Sequence, residues 1–307
     1  MRNYNFYLIS YYQIKMNFQG PPLLIMNNGL TIPQLGFGVF MIKDLAEVER
    51  ACLEAFKVGF RHIDTAHRYD NEKGVGAAIK KSGIPRKDLF ITSKLSPAEY
   101  GEQASYNAIN SMLKRLDTEY IDLLLLHHPL NDYIGAWKAM ERAVREGKVK
   151  SIGLSNFEGK ILKDFWNTCT IKPAILQIEG HPYFNQENLK KKCQEMGILV
   201  ETWFPLGHGD KKMLNNPLFV ELGKRYNKTP AQIILRWHID YGYIPLPKSC
   251  NNKHIKENFE IFDFHLTSEE MEIISKLPQR RYINIEEHQK PGSEFEKILN
   301  NWKPNND

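Results

Sequence analysis

The sequence predicts an α/β protein built as a single (β/α)8 TIM barrel. Three observations support this fold class. Short apolar segments typical of strands alternate with amphipathic segments typical of helices, and this alternation repeats about eight times. The 307 residues are 42% hydrophobic, which is enough for a large core. No change in composition divides the chain into domains, and barrels commonly exceed about 200 residues as one unit.

The strand candidates are short runs of apolar residues. Ile121–His127 is apolar almost throughout, which is typical of strands that are buried on both faces in a parallel sheet. An open, doubly wound sheet is the alternative, but its G-x-G-x-x-G phosphate-binding fingerprint is missing. The predicted strands are Gln34–Val39, Arg61–Asp64, Leu89–Lys94, Ile121–His127, Lys150–Ser155, Ala174–Gln177, Leu199–Trp203 and Ile244–Pro247.

The helix candidates have apolar residues at helical spacing. In Leu45–Val58 these residues recur every three or four positions and form one buried face. Thr267, followed three residues later by Glu270, forms a capping box that begins another helix. The remaining predicted helices are Gln103–Leu116, Asp132–Glu146, Gln186–Met196, Pro217–Tyr226 and Pro230–Asp240.

The two ends of the chain differ from the barrel repeat. Residues 1–22 are rich in Tyr, Asn and Phe without periodicity, so we expect a flexible N-terminal extension. A secretory signal is the alternative for this segment, although Tyr11, Tyr12 and Gln13 interrupt any apolar core. Residues 23–307 form the predicted barrel domain, with a short N-terminal hairpin as a lid and a C-terminal specificity loop after Leu277.

Charge and cysteine content indicate what kind of protein this is. The net charge is +5, and basic and acidic residues are interleaved, so we expect no binding to nucleic acid. No apolar run approaches the length of about 18 residues that spans a membrane, and no membrane partner is expected. Cys52, Cys169, Cys193 and Cys250 form no C-x-x-C pair. These features predict a cytoplasmic protein that is a monomer or a weak homodimer.

Polar side chains cluster where the predicted strands end, which is where barrel enzymes place their active sites. Asp64 closes the second strand and Lys94 the third, so we expect a buried ion pair. A tyrosine near this ammonium, Tyr69, would have a lowered pKa and could act as a general acid. His127 closes the fourth strand. Read singly, each of these features could also be structural: a stabilising ion pair, a rim aromatic or a core histidine.

Six segments that follow one another along the chain resemble the signature motifs of the aldo-keto reductases. The resemblance extends over most of the chain, from about Leu23 to Leu277, and the ordered set is more specific than any single motif. The segments are HIDTAHRYDNE at His62–Glu72, FITSKL at Phe90–Leu95, LLHHP at Leu125–Pro129, GLSNF at Gly153–Phe157, QIEGHP at Gln177–Pro182 and IPLPKS at Ile244–Ser249.

The resemblance implies a carbonyl reductase whose catalytic residues are Asp64, Tyr69, Lys94 and His127. Tyr69 would donate a proton to the carbonyl oxygen, and Lys94, paired with Asp64, would lower the pKa of Tyr69. His127 would orient the carbonyl while a nicotinamide cofactor supplies hydride. Members that reduce steroid carbon–carbon double bonds have Glu at the position of His127. The histidine therefore indicates an oxidoreductase acting on CH–OH groups with NAD(P).

The resemblance also implies the residues that bind the cofactor. Ser155, Asn156 and Gln177 would bind the nicotinamide carboxamide, and Trp203 would stack on the ring. The position of His254 often carries Arg in the family. Because neutral His is a weaker partner for the 2′-phosphate, we expect NADPH as cofactor with appreciable use of NADH. The remaining implied contacts are Gly38, Val39, Phe40, Asp64, Leu206, Gly207, Lys248, Ser249, Glu257 and Asn258.

The substrate pocket is expected at Phe40, Tyr69, His127 and His128. His128 stands where the family often has Trp, which predicts a polar, open pocket for small aldehydes, dicarbonyls or keto-sugars. Two other functions are considered. A metal-dependent hydrolase is disfavoured, because neighbouring residues of a strand point in opposite directions and His127 and His128 would not share an ion; no metal is expected. A cofactor-binding regulatory or sensor subunit that does not turn over is the main alternative.

Overall fold

The computed structural model describes residues 20–288, 290 and 292–303, so most of the predicted N-terminal extension, residues 1–19, lies outside the described residues. An antiparallel hairpin precedes a parallel sheet of eight strands. The hairpin strands are Leu23–Ile25 (β1) and Thr31–Pro33 (β2). The sheet strands are Phe37–Gly38 (β3), His62–Asp64 (β4), Phe90–Leu95 (β5), Ile121–Leu126 (β6), Val149–Ser155 (β7), Ile175–Glu179 (β8), Leu199–Trp203 (β9) and Ile244–Pro245 (β10).

The sheet closes into the predicted barrel. From β3 to β10 each strand pairs in parallel with its neighbour in the chain. Closure between the first and the last strand is made by Gly36 N, which donates to Pro245 O at 3.1 Å, and by Gly38 N, which donates to Pro247 O at 3.0 Å. A Cβ atom at Gly38 would lie only 3.2 Å from Leu246 O, so the close approach of the two backbones favours glycine there.

Helices surround the barrel, and the six that were predicted with both bounds begin and end within one residue of those bounds. None of the helices in the described ranges is both long enough and apolar enough to cross a membrane. The helices are Leu45–Val58 (α1), Glu72–Lys81 (α2), Glu102–Arg115 (α3), Tyr133–Arg145 (α4), Gly159–Thr168 (α5), Glu187–Glu195 (α6), Lys211–Leu214 (α7), Pro217–Tyr226 (α8), Pro230–Asp240 (α9), Asn252–Phe259 (α10), Ser268–Ser275 (α11), Ile285–His288 (α12) and Glu294–Asn301 (α13).

Helix α2 was not among the predicted helices, and its glycines explain why. Gly74 and Gly76 lower the helix propensity of this segment, but tertiary packing requires them. A Cβ atom at Gly74 would lie 2.7 Å from Leu45 O, and one at Gly76 would lie 2.7 Å from Leu116 O. Close packing against α1 and the end of α3 therefore outweighs the local preference.

The N-terminal hairpin covers the amino-terminal end of the barrel. Asn27 Nδ2 donates to Pro173 O at 2.8 Å, and Asn28 Nδ2 donates to Ser151 Oγ at 2.8 Å. Met26 and Ile32 pack on apolar residues near the starts of the strands, such as Phe90. The predicted lid thus exists, and it leaves the carboxyl ends of the strands open.

The C-terminal segment returns to that open end. The buried carboxylate of Glu179, at the end of β8, accepts hydrogen bonds from Tyr282 N at 2.6 Å and Ile283 N at 3.1 Å. Beyond this anchor, the ring of Trp302 meets His67 edge-on at 5.0 Å. The segment after Leu277 therefore forms one wall of the cleft at the carboxyl ends of the strands. The four cysteines are free thiols.

Candidate active site

A cleft of about 1110 Å³ lies at the carboxyl ends of the barrel strands. Most of the residues predicted from the sequence line it. Lys94, Val39 and Gly207 do not appear in its lining and are buried beside it. The predicted residues that line the cleft are Gly38, Phe40, Asp64, Tyr69, His127, His128, Ser155, Asn156, Gln177, Trp203, Leu206, Lys248, Ser249, His254, Glu257 and Asn258.

Lys94 links the predicted catalytic groups. Its side chain points from β5 into the barrel and is fully buried, and its ammonium donates to both carboxylate oxygens of Asp64 at 2.7 and 2.8 Å. It also donates to Thr65 O at 2.9 Å and to the Tyr69 hydroxyl at 3.2 Å. Strand β4 and the turn His67–Tyr69 bring Asp64 and Tyr69 to this ammonium.

The pKa of Tyr69 is raised above its ordinary value, whereas the sequence predicted a lowered one. Burial of the phenol is the main cause, and the neighbouring charge of Asp64 adds to it. Lys94 and Arg68 act in the predicted direction and lower the pKa, but they do not offset burial. Lys94 remains charged, because Asp64 raises its pKa despite its burial. At neutral pH Tyr69 is therefore a protonated phenol beside an ammonium group, which suits a proton donor.

His127 and His128 stack on each other, contrary to the expectation that they point in opposite directions. Their ring centroids lie 4.8 Å apart with an interplanar angle of 16°. The reason is that β6 ends at Leu126, so the alternation of a strand does not apply to them. Burial lowers the pKa of His127 well below its ordinary value and that of His128 to about 3, so both imidazoles are neutral. The His127 ring meets Tyr69 edge-on at 5.8 Å.

Asn156 directly follows β7, and its side chain hydrogen-bonds residues at the ends of β6 and β9. Its backbone has a positive φ of 65°. Asn156 Nδ2 donates to His127 O at 3.0 Å, and its Oδ1 accepts from Trp203 Nε1 at 3.0 Å. The second bond holds the half-buried indole of Trp203, which lines the cleft. The predicted carboxamide-binding residues and the predicted stacking residue therefore form one connected group.

The Gln177 amide is held by two acidic side chains, Asp64 and Glu201. Gln177 Nε2 donates to Asp64 Oδ2 and to Glu201 Oε2, each at 2.9 Å. Because both donor positions are used, Gln177 Oε1 is left as the acceptor. Burial, reinforced by the nearby charge of Asp64, raises the pKa of Glu201 to about 8, so Glu201 is mostly protonated at neutral pH. Sequence reasoning missed Glu201, although an acid within the predicted strand Leu199–Trp203 was a signal.

The end of the cleft that is formed by the residues after β10 and by the start of α10 is basic. Lys248 and Ser249 follow β10, and Lys253 and His254 lie in the first turn of α10. Asn251 caps this helix by accepting a hydrogen bond from Lys253 N at 2.9 Å. Sequence reasoning missed Lys253. A helix start with two lysines beside it is a suitable environment for phosphate groups.

Several cleft residues were not predicted individually as site residues. Arg68, Phe204 and His208 lie in loops at the carboxyl ends of the strands, and five others come from the C-terminal segment. Only long-range packing brings the C-terminal residues to the cleft, so spacing along the chain could not reveal them. These five are Ile283, Ile285, His288, Phe295 and Trp302.

A closed parallel barrel with a buried lysine joining an aspartate to a tyrosine at its open end defines the class of this protein. The chain belongs to the aldo/keto reductase family, whose model matches residues 34–278. The family predicted from the motifs is thereby confirmed, and with it the class of oxidoreductases.

Known proteins of this family resemble the chain over most of its length. It is 40% identical to a 9,11-endoperoxide prostaglandin H2 reductase of Trypanosoma cruzi, over 84% of this chain and 92% of that protein. It is also 40% identical to a glyoxal reductase of Bacillus subtilis, over 82% and 91%. Among solved structures, the Bombyx mori aldo-keto reductase in complex with NADP matches with a TM-score of 0.82 and 34% identity, over 87% and 96%.

Proposed function

We propose that this protein reduces aldehydes or ketones to alcohols with a nicotinamide cofactor, and that Tyr69 is the proton donor. The observation that carries this proposal is the contact between the Tyr69 hydroxyl and the Lys94 ammonium at 3.2 Å, with Asp64 paired to the same ammonium. An ion pair serving stability alone would not need a phenol that also lines an open cleft.

The residues of the cleft fit a nicotinamide dinucleotide. Gln177 Oε1 and the Ser155 hydroxyl offer hydrogen bonds to a carboxamide, and Trp203 offers a flat, fixed surface for stacking. Lys248 and Lys253, which also line the cleft, offer charge to phosphate groups. The Bombyx mori relative was solved with NADP. The cleft is thus polar at the nicotinamide end and basic at the other, as such a ligand requires.

The chemistry divides between cofactor and protein. Reduced nicotinamide, when bound, supplies hydride to the carbonyl carbon. The Tyr69 hydroxyl donates its proton to the carbonyl oxygen, and the Lys94 ammonium stabilises the phenolate that remains. Neutral His127 donates a hydrogen bond to the same oxygen and orients it. Asp64 keeps Lys94 charged and in place.

NADPH is the proposed cofactor, with appreciable use of NADH. His254 lines the basic end but is exposed, and an imidazole lacks the permanent charge and planar fork with which a guanidinium binds a 2′-phosphate. The Michaelis constants for both cofactors test this point. A preference for NADPH above about a thousandfold, or roughly 4 kcal/mol, would contradict appreciable NADH use.

The proposed substrates are small aldehydes, dicarbonyls or keto-sugars. Phe40, Tyr69, His127 and His128 line the pocket beside the proposed reaction site. A small dicarbonyl agrees with the name of the glyoxal reductase relative.

We also propose that the protein works in the cytoplasm as a monomer or weak homodimer, without nucleic-acid or membrane partners. Composition alone supports this proposal.

The test is the loss of reduced-nicotinamide absorbance with a panel of small carbonyl compounds. In Tyr69→Phe we expect turnover to fall by at least about a hundredfold while cofactor binding persists. Tyr106→Phe is the matched control, because Tyr106 lies on α3 outside the cleft. Cofactor binding without turnover in the wild type would favour a regulatory cofactor-binding subunit. No cofactor binding at all would overturn the proposal.

A further inference from the structure

Arg68 is a cation in the cleft to which neither motif nor mechanism assigns a role. It lies in the turn His67–Tyr69, immediately before the proposed proton donor, and its half-buried side chain lines the cleft. Its Nε atom is buried without a hydrogen-bond partner. Within the described ranges, the Arg68 side chain makes neither a hydrogen bond nor an ion pair. A buried, unpartnered guanidinium nitrogen is costly unless a ligand satisfies it.

Among the described residues, no acid that lines this part of the cleft is left to neutralise the charge of Arg68. Asp64 is already paired with Lys94, and burial keeps His127 and His128 neutral. The charge of Arg68 is close enough to lower the pKa of both histidines. The charge of Asp70 raises the pKa of Arg68, but Asp70 is exposed and does not line the cleft. Its carboxylate accepts a hydrogen bond from Trp302 Nε1 at 3.4 Å.

Aromatic side chains line the cleft beside Tyr69 and His128. Phe40 lies 4.9 Å from the Tyr69 ring, and Phe295 packs between His128 at 5.0 Å and His288 at 4.4 Å. Such walls hold the carbon skeleton of a small ligand but offer no counter-charge. The other permanent cations that line the cleft within the described ranges are Lys248 and Lys253, which the proposed function places at the cofactor phosphates.

We propose that Arg68 binds an oxyanion of the substrate, so that the preferred substrates are small carbonyl compounds carrying a carboxylate or phosphate group near the reacting carbonyl. This inference rests on the proposed function and narrows its substrate class. The planar guanidinium fork matches the geometry of both oxyanions. Because Arg68 and Tyr69 are adjacent in one turn, the anion would be held while the carbonyl oxygen lies at the Tyr69 hydroxyl.

The experiment compares kcat/KM for two matched substrate pairs. Succinic semialdehyde against butanal tests a carboxylate, and glyceraldehyde 3-phosphate against glyceraldehyde tests a phosphate. Each pair is measured with the wild type, Arg68→Met and Arg68→Lys. Arg142→Met is the control, because it removes an arginine of α4 that lies outside the cleft. Thermal unfolding and cofactor titration of each variant show whether folding and cofactor binding are intact.

We expect the wild type to prefer the anionic member of at least one pair. Arg68→Met should then lose about 10- to 100-fold on that substrate, the range for hydrogen bonds to a charged group. Its loss on the neutral partner should be below about threefold. For the anionic substrate, kcat/KM of Arg68→Lys should lie between those of the wild type and Arg68→Met, since lysine keeps the charge without the planar guanidinium fork. The pair that responds identifies the oxyanion as carboxylate or phosphate.

Other outcomes overturn the inference in distinguishable ways. Turnover of butanal and glyceraldehyde without an Arg68-dependent preference for anions leaves the proposed function intact and refutes the role of Arg68. Equal losses on neutral and anionic substrates in Arg68→Met would show that Arg68 acts through Tyr69. Weaker cofactor binding in Arg68→Met would show that it contacts the cofactor. No turnover of any carbonyl compound, with cofactor bound, refutes both proposals.

Discussion

Replacing Lys94 with methionine should destabilise the protein by about 3–5 kcal/mol, the range for breaking a buried ion pair from one side. Methionine fills a similar volume, so the loss is mainly electrostatic. The ammonium donates to both oxygens of Asp64, to Thr65 O and to the Tyr69 hydroxyl, and the variant loses all of these bonds. Among the described residues, Gln177 Nε2 is the one side-chain donor that the buried carboxylate would keep.

The assay is equilibrium urea unfolding of Lys94→Met, Asp64→Asn and the double variant. If the loss comes from an uncompensated buried charge, the double variant should be less destabilised than the sum of the two single variants by more than about 1 kcal/mol. Lys80→Met is the control, because its ion pair with Asp117 is exposed and should contribute less than about 1 kcal/mol. Additive single-variant losses, or a loss below about 1 kcal/mol in Lys94→Met, would refute the reasoning.

Two further predictions concern stability. In the folded protein the pKa of Glu201 is raised to about 8. The protonated form therefore contributes to the free energy of unfolding, and this contribution is fully present below the pKa of the unfolded state and is lost as pH rises through about 8. The stability of Glu201→Gln relative to the wild type should therefore increase between about pH 5 and about pH 9 in urea unfolding, and a constant difference would contradict this. Gly76→Ala should lose about 1–3 kcal/mol in the same assay, because its Cβ would lie 2.7 Å from Leu116 O; an unchanged midpoint would show that α2 shifts freely.

The alternation of apolar strands and amphipathic helices made the barrel predictable, because both periodicities are local properties of the chain. Helix α1 was predicted with its observed bounds from apolar residues at helical spacing, and the structure shows Asp44 capping its start and Gly59 following its end. Helix α2 was not predicted, because Gly74 and Gly76 satisfy packing against distant backbone rather than a local preference. Helix propensity therefore fails to predict a helix where the packing of one helix against another requires glycine.

The catalytic residues were predictable for a related reason. In a parallel barrel the carboxyl ends of neighbouring strands meet at one rim, so Asp64 and Lys94 had to lie close together once the strands were recognised. The family motifs then supplied the roles of Tyr69 and His127. The side-by-side arrangement of His127 and His128 was not predictable, because it depends on where β6 stops.

The sequence by itself determined the barrel, the family and the groups at the strand ends, because these depend on order and spacing along the chain. Only the tertiary structure decided the protonation states, since burial raises the pKa of Tyr69 against the effect of Lys94 and, together with Asp64, raises the pKa of Glu201. It also decided that C-terminal residues such as Trp302 wall the cleft and that the Arg68 side chain is left without a partner within the described ranges. Burial and long-range proximity arise only when the chain closes on itself.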